Sequence, residues 1–369
     1  MCRYIVSFWS VPQFSVSRLR SPFKMRWRRK LAPLLGSLLA AGAVLLLHRA
    51  LLTAQRVHTQ LQSYRVNRNL SAYSDLIQEP LIQPRSLVSL CSGFAPDGVV
   101  ALVTSSPARA ARRRIIRDTW ASAVPTFFFL GLDGSKDELA DIYYESKLHN
   151  DMVVFEFVDT YQNLTLKTAA MLQWGQRALR RWAERCDGAR FVLKTDDDIT
   201  VNPWRLRDVA REHANDALVG YIFEDTAPHR SPFSKYFIPH WLYLEDNYPE
   251  YLSGTGYLIN GEYLPKIVEA SYKVPLINIE DVYFTYLVAV KALGLPLSHD
   301  DRLSPFQPVV PLACAYWDFA SMHSMTPATI ASAWAKIQTL GEANDSGLPV
   351  CETYRQNFRY FSSFYFLHR

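Results

Sequence analysis

Three consecutive carboxylates, Asp196-Asp197-Asp198, interrupt an otherwise apolar stretch, Phe191-Val192-Leu193-Lys194-Thr195 before them and Ile199-Thr200-Val201-Asn202 after. Adjacent aspartates repel one another, and neither helices nor strands favour the residue. Such a triplet calls for positive charge, most simply a divalent metal that carries an oxygen-rich ligand of its own. The competing reading is a solvated acidic turn whose carboxylates bond to nearby backbone. The strand-like run ahead of the triplet favours the metal.

Four other groups of residues have the chemistry to work beside it. Arg109, Arg112, Arg113, Arg114 and Arg117 lie on one helix-like segment, with Arg113 and Arg117 on a shared face at i, i+4 spacing. They could reach a phosphate or a nucleobase edge, or simply form a solvated basic face. Tyr251-Leu252-Ser253-Gly254-Thr255-Gly256-Tyr257 sets two glycines among aromatics. Gly254 and Gly256 would let backbone approach a ligand and the aromatic faces suit sugar rings, or the pair marks a bend at a strand start. In Asn278-Ile279-Glu280-Asp281-Val282-Tyr283 the acids open an apolar helical run, Phe284 to Leu293. Helix capping explains them structurally; the functional alternative makes Asp281 a general base able to take a proton from a weakly acidic hydroxyl. His323, before a helix expected from Ala328, would complete a mixed oxygen–nitrogen site suited to manganese if brought next to Asp198.

These groups need a scaffold, and hydrophobic periodicity supplies one. Val99 to Val103, Phe127 to Leu130 (stopped by Gly131), Met152 to Phe157 and the run at Phe191 read as strands. They alternate with helical segments at 108–120, 137–149 and 164–185. That alternation predicts an α/β domain with a mostly parallel, Rossmann-like sheet and helices on both faces. Ligands in such sheets bind beyond the carboxyl ends of the strands, where Thr104-Ser105 and the Asp triplet both fall.

The ends of the chain speak to topology. The net charge of +5 is concentrated at Arg18, Arg20, Lys24, Arg26, Arg28, Arg29 and Lys30, immediately before the uncharged run Leu31 to Leu47. As a helix that run spans roughly 25 Å, and Leu51 and Leu52 extend it with Arg49 snorkelling. Charge asymmetry predicts residues 1–30 as a cytoplasmic tail, 31–52 as a signal-anchor helix, 53–97 as a polar, proline-broken lumenal stem, and 98–369 as a lumenal catalytic domain. A signal peptide cleaved near Ala41-Gly42-Ala43 competes with this, but Val44-Leu45-Leu46-Leu47 carries the apolar run past that point. Met25 would serve as an alternative start. A lumenal domain argues against a nucleic-acid partner. It also lets Cys91, Cys186, Cys314 and Cys351 form disulfides in any of three pairings, Cys2 remaining free on the cytoplasmic side. Asn69, Asn163 and Asn344 stand in glycosylation sequons.

Read in order, the segments resemble the β-1,3-galactosyltransferase and β-1,3-N-acetylglucosaminyltransferase family of inverting, Golgi-type enzymes. Arg113-Arg114-Ile115-Ile116-Arg117-Asp118-Thr119-Trp120 is similar to that family's Arg-x-x-Ile-Arg-x-Thr-Trp helix, and Phe128-Phe129-Leu130-Gly131 to its second strand. Asp159 to Thr168 is the most distinctive match, followed by Lys194-Thr195-Asp196-Asp197-Asp198, Gly254-Thr255-Gly256-Tyr257 and Glu280-Asp281-Val282-Tyr283.

The resemblance implies a GT-A fold and a UDP-sugar donor, with galactose or an N-acetylhexosamine moved onto a glycan acceptor of a glycoprotein or glycolipid at the Golgi membrane. Asp198 and His323 would hold Mn²⁺, with Asp196 and Asp197 on the cofactor side, Asp196 nearer the nucleotide and Asp197 the least defined of the three. Arg113, Arg117, Gly254 and Gly256 would border the donor, and Asp281 would act as the base. No protein nucleophile is needed in such a single displacement. Two stretches depart from the pattern: Leu252 stands where galactosyltransferases often have cysteine, and Phe284-Thr285 where many members have Val-Gly. An inactive glycan-binding or chaperone-like descendant, and a glycoside hydrolase using paired carboxylates, are the alternatives; the second would need neither metal nor nucleotide.

Overall fold

The structure, a computed structural model, describes residues 22–85, 98–132, 136–183, 190–308 and 310–351. Cys2, Cys91, Cys186 and the aromatic run 358–366 lie outside the described residues. The chain divides into two compact units, residues 1–55 and 56–369. In the first, α1 (Pro22–Val66, which continues into the second unit) exposes Leu38, Leu39, Val44 to Leu47, Leu51 and Leu52. An 18-residue window of this helix within residues 37–66 reaches a mean hydropathy of 1.7, and among the described residues no other helix is both long and apolar enough to cross a membrane.

The second unit begins earlier than the sequence led us to expect. Val57, Leu61 and Tyr64 on the last turns of α1 are buried in its core, as are Leu70, Tyr73 and Ile77 around α2 (Ser74–Ile77). The Tyr64 hydroxyl donates to the Gln162 carbonyl at 2.9 Å, Arg68 donates to that of Leu242, and Ile82 bridges to Val154. The expected free stem is therefore, over residues 57–82, part of the globular unit. Its three- and four-residue spacing of apolar side chains (57, 61, 64) is an amphipathic stripe that the polar composition around it obscures.

Four buried strands, β1 (Val99–Thr104), β2 (Thr126–Leu132), β3 (Met152–Val158) and β4 (Phe191–Asp196), form the parallel half of the main sheet in the order β3-β2-β1-β4. Their crossovers are α3 (Ala110–Arg117), α4 (Lys136–His149) and α5 (Leu164–Ala183). β2 runs through Gly131 instead of stopping there. A Cβ at Gly131 would lie 2.5 Å from the Phe157 carbonyl oxygen, so glycine is what lets β3 pair so closely. After β5 (Thr200–Val201) and α6 (Pro203–Glu212), the sheet is completed by β6 (Leu218–Phe223), β7 (Tyr251–Asn260) and β8 (Leu297–His299), in the order β4-β7-β6-β8. Only β7 runs antiparallel to both neighbours. This is the α/β architecture expected of a GT-A glycosyltransferase.

Alternate residues of β1 enter two different cores, as the period of a strand dictates: Val100 and Leu102 on one face, Val99, Ala101 and Val103 on the other. The first core is shared with α5, α7 (Leu264–Ser271), the π-helix Val282–Ala292 and residues 57–77; the second with α3, α6 and α9 (Pro327–Asp345). A small sheet of β5, β9 (Leu303–Ser304) and β10 (Ser321–Met322) pairs Met322 with Thr200. That pairing returns the chain, two residues after the Asp triplet, to the end of β4. A disulfide joins Cys314, on α8 (Ala313–Trp317), to Cys351, resolving one of the pairings left open.

Candidate active site

β4 ends at Asp196 and the chain turns sharply, so the three carboxylates leave the strand in different directions. Their exposures separate their roles. The Asp196 and Asp198 side chains remain 27% and 23% exposed, whereas that of Asp197 is sealed at 0%. Asp197 accepts hydrogen bonds from Ser105 Oγ at 2.8 Å and Arg109 at 2.6 Å. Burial raises its carboxyl above the usual range against those partners. It is an anchor of the corner, not a face presented to a ligand.

His323 reaches the corner directly after β10. Its Nε2 lies 3.2 Å from Asp198 Oδ1, and its Nδ1 is 2.9 Å from the Ser324 hydroxyl, which fixes the ring. The Met325 amide donates to the Asp198 carbonyl, closing the loop onto the triplet. Ligand atoms of Asp196, Asp198 and His323 all fall within 4.8 Å of one another. Two carboxylate oxygens and an imidazole nitrogen, part-exposed and clustered, fit a divalent cation of the manganese type. Burial alone would raise Asp198, but the His323 contact and the nearby Arg112 and Arg109 hold it below the ordinary range, leaving it ionised and able to ligate.

The basic helix divides differently from the i, i+4 expectation. Arg109 pairs with Asp197, and Arg112 lies 3.4 Å from Asp198. Arg113, fully buried, instead clasps Glu145 through Nε and Nη2 and donates to the Ser106 carbonyl. Arg117 binds Asp151 through two nitrogens and Glu145 through the third. Their donors are spent on α4 and the start of β3, so the phosphate or nucleobase contact expected of Arg113 and Arg117 gives way to a buried ion-pair cluster. The Asp159–Thr168 segment is likewise a brace. Lys167 donates to the Ser105 carbonyl and to Asp159, and Asp159 accepts the Gly131 amide, so the ends of β1 and β2 are tied together.

β7 brings the base. Its residues 256–260 pair with β4, but β4 ends at Asp196, which leaves the 252–254 stretch of that edge without a strand partner. The N-terminus of the π-helix fills the gap. Asp281 Oδ2 accepts the Gly254 amide at 3.1 Å while Oδ1 caps the helix through the Val282 amide at 2.9 Å. Capping and a functional role therefore coexist. Burial pushes the Asp281 carboxyl above its usual value, opposed by those two amides and by Lys194. A Cβ on Gly254 would stand 2.9 Å from Asp281 Oδ2, whereas one on Gly256 would meet ordinary contacts beyond 3.4 Å. Gly254 is thus glycine to admit Asp281, which corrects the expectation that both glycines make room for the donor.

Lys194 was missed in the sequence. Fully buried, it donates to the Gly254 carbonyl at 2.6 Å, lies 2.9 Å from Glu280 and 3.4 Å from Asp196 Oδ1. Glu280 also accepts the Tyr257 hydroxyl at 2.7 Å. Burial would lower the Lys194 pKa, but Asp196 and Glu280 raise it, so the ammonium persists. It joins the acidic corner to the Gly254 stretch on which Asp281 docks. The signal was strand alternation, which places Lys194 and Asp196 on the same face of β4.

Comparison with known proteins bears on what this arrangement serves. Residues 111–300, which contain the triplet, Gly254 and Asp281 but not His323, match the family model described as Galactosyltransferase. Human beta-1,3-galactosyltransferase 5 is 31% identical over 254 residues, covering 66% of this chain and 79% of that protein. The human acetylgalactosaminyl-O-glycosyl-glycoprotein beta-1,3-N-acetylglucosaminyltransferase is 30% identical over 280 residues, 70% of each chain. Among solved structures, the galactosyltransferase LgtC aligns over 70% of this chain and 99% of its own at 15% identity, with a TM-score of 0.31. With more than half of the chain inside the family's boundaries, and the acidic corner and Asp281 within that half, this protein belongs to the galactosyltransferase family.

Proposed function

We propose that this protein is a UDP-sugar-dependent, inverting β-1,3-glycosyltransferase, moving galactose or an N-acetylhexosamine onto a glycan hydroxyl. The observation that carries the reading is the clustering of Asp196, Asp198 and His323, joined through Lys194 and Gly254 to a part-buried aspartate of raised pKa. Asp198 and His323, with Asp196 beside them, would hold Mn²⁺. Once bound, the cation offsets the diphosphate charge that grows as the bond to the anomeric carbon breaks.

The chain's own residues supply the rest. Arg109 and Arg112 hold the triplet in place and add positive charge beside the departing diphosphate. Asp281 Oδ1 and Oδ2 are oriented by two backbone amides, which fixes the carboxylate that takes the acceptor proton. As that proton moves to Asp281, the acceptor oxygen bonds to the anomeric carbon from the face opposite the leaving UDP, and the configuration inverts. The apolar helix at residues 37–52 fits a type II anchor in the Golgi membrane, with unit 56–369 in the lumen.

The test is UDP release by the purified 56–369 unit, offered a panel of UDP-sugars and glycan acceptors with and without Mn²⁺. We expect release that requires metal and acceptor, and an Asp281→Asn variant that binds UDP–Mn²⁺ by calorimetry but transfers nothing. No release with any pair would refute the enzyme reading, and lost nucleotide binding in Asp281→Asn would refute its role as base.

A further inference from the structure

The strand gap that Asp281 fills is closed by a second side chain of the same helix face. Thr285 stands one turn beyond Asp281 and is fully buried. Its Oγ1 accepts the Leu252 amide at 3.0 Å and donates to the Asp281 carbonyl at 2.7 Å. Leu252 and Gly254 are alternate residues of β7, so their amides point the same way. Residues 281 and 285 therefore dock onto the unpaired edge as a two-pronged clamp, one prong a carboxylate and the other a hydroxyl. A threonine bonding back to the i−4 carbonyl is common in helices and by itself means little. The bond from another element, the Leu252 amide, is what makes this one a tie.

The hydroxyl is the only side-chain group at that position able to serve both partners at once. The Leu252 amide is buried, so leaving it without an acceptor would be costly. Asp281 caps the start of its helix, and among the described residues outside that helix it is the Gly254 amide that donates to its carboxylate. We propose that Thr285 is a positioning residue that holds the helix start in register with β7 and so sets the reach of Asp281 toward the acceptor hydroxyl. This rests on the reading of Asp281 as the base. Thr285 touches no substrate; it acts through the Leu252 amide and the Asp281 backbone.

The experiment compares Thr285→Val, Thr285→Ala and Thr285→Ser with the wild-type 56–369 unit in the UDP-release assay. Valine keeps the shape and removes the hydroxyl; alanine is the smaller alternative if valine does not fold; serine keeps the hydroxyl. A misplacement of about 1 Å can cost up to roughly 100-fold in rate. We expect kcat to fall about 10- to 100-fold in Thr285→Val and Thr285→Ala and to return to within about threefold of wild type in Thr285→Ser. The donor KM and UDP–Mn²⁺ affinity should stay within about twofold throughout, because the metal corner is held by other elements. Variants without the hydroxyl that fold and keep wild-type kcat, whatever their melting temperature, would overturn the proposal, as would a serine variant no better than alanine. If the wild-type unit itself releases no UDP with any donor and acceptor, it is the proposed function that has failed, and this inference falls with it.

Discussion

Leu61 offers the sharpest test of where the globular unit begins. It is 1% exposed, while Val66, five residues on in the same helix, is 84% exposed. If residues 57–82 were a stem held away from the domain, truncating either side chain would be nearly neutral. In the structure, Leu61 sits in a core with Tyr64, Leu70, Tyr73 and Ile77. Leu61→Ala removes buried methyl groups and leaves a cavity, at a cost of about 2–5 kcal/mol. For a unit of this size each kcal/mol moves the midpoint by roughly 2 °C, so the loss is several degrees and easily read. Val66→Ala should shift the midpoint by less than about 1 °C, since exposed substitutions usually stay within ~0.5 kcal/mol. The assay is a thermal melt of the 56–369 unit and the two variants under one buffer. Equal midpoints for Leu61→Ala and Val66→Ala would refute the buried placement. The practical corollary is that a fragment starting at residue 98 should melt far lower than one starting at 56, or fail to fold.

Two further outcomes follow from the site. Because burial raises the Asp281 pKa, and because the base works only when ionised, kcat/KM should fall as pH drops through a value above the ordinary aspartate range of about 3.9. A pH profile whose acid limb lies at or below that range, or an identical limb in Asp281→Asn, would contradict this. Arg113→Met should cost about 3–5 kcal/mol, because it strips a buried partner from Glu145, yet leave the donor KM unchanged. A raised donor KM in a variant of wild-type stability would restore the nucleotide-contact reading of Arg113.

The parallel half of the sheet was readable because β1 to β4 are apolar on both faces and separated by helices of clear period. The acidic corner was readable because an Asp triplet has no other comfortable place in a strand. The arginines were harder. Arg109, Arg112, Arg113 and Arg117 are chemically alike, and which two face Asp197 and Asp198 depends on how α3 is rolled against the sheet, with Glu145 and Asp151 competing from distant positions. Lys194 was overlooked because a lysine in an apolar strand looks like an edge residue until Glu280, 86 positions later, is folded against it. Residues 57–77 were misjudged for a related reason. Their few apolar side chains find partners far along the chain, α2 packing on β3 and α5, which composition near the apolar N-terminal helix does not announce.

The covalent bond between Cys314 and Cys351 encloses a ring of the chain, 37 residues apart at its ends, and His323 lies inside that ring. The two carboxylates of the cluster sit at the end of a central strand, and the imidazole arrives on a segment that this cross-link closes into a ring. Closing a loop of that length removes about 4 kcal/mol of chain entropy from the unfolded ensemble on the loop-entropy account. The redox state of the surrounding compartment is thereby wired to one ligand of the cluster and not to the others. Under oxidising conditions the histidine arm arrives already fastened, while under reducing ones it relies on non-covalent contacts such as its β10 pairing, the α9 packing and the Asp198 contact.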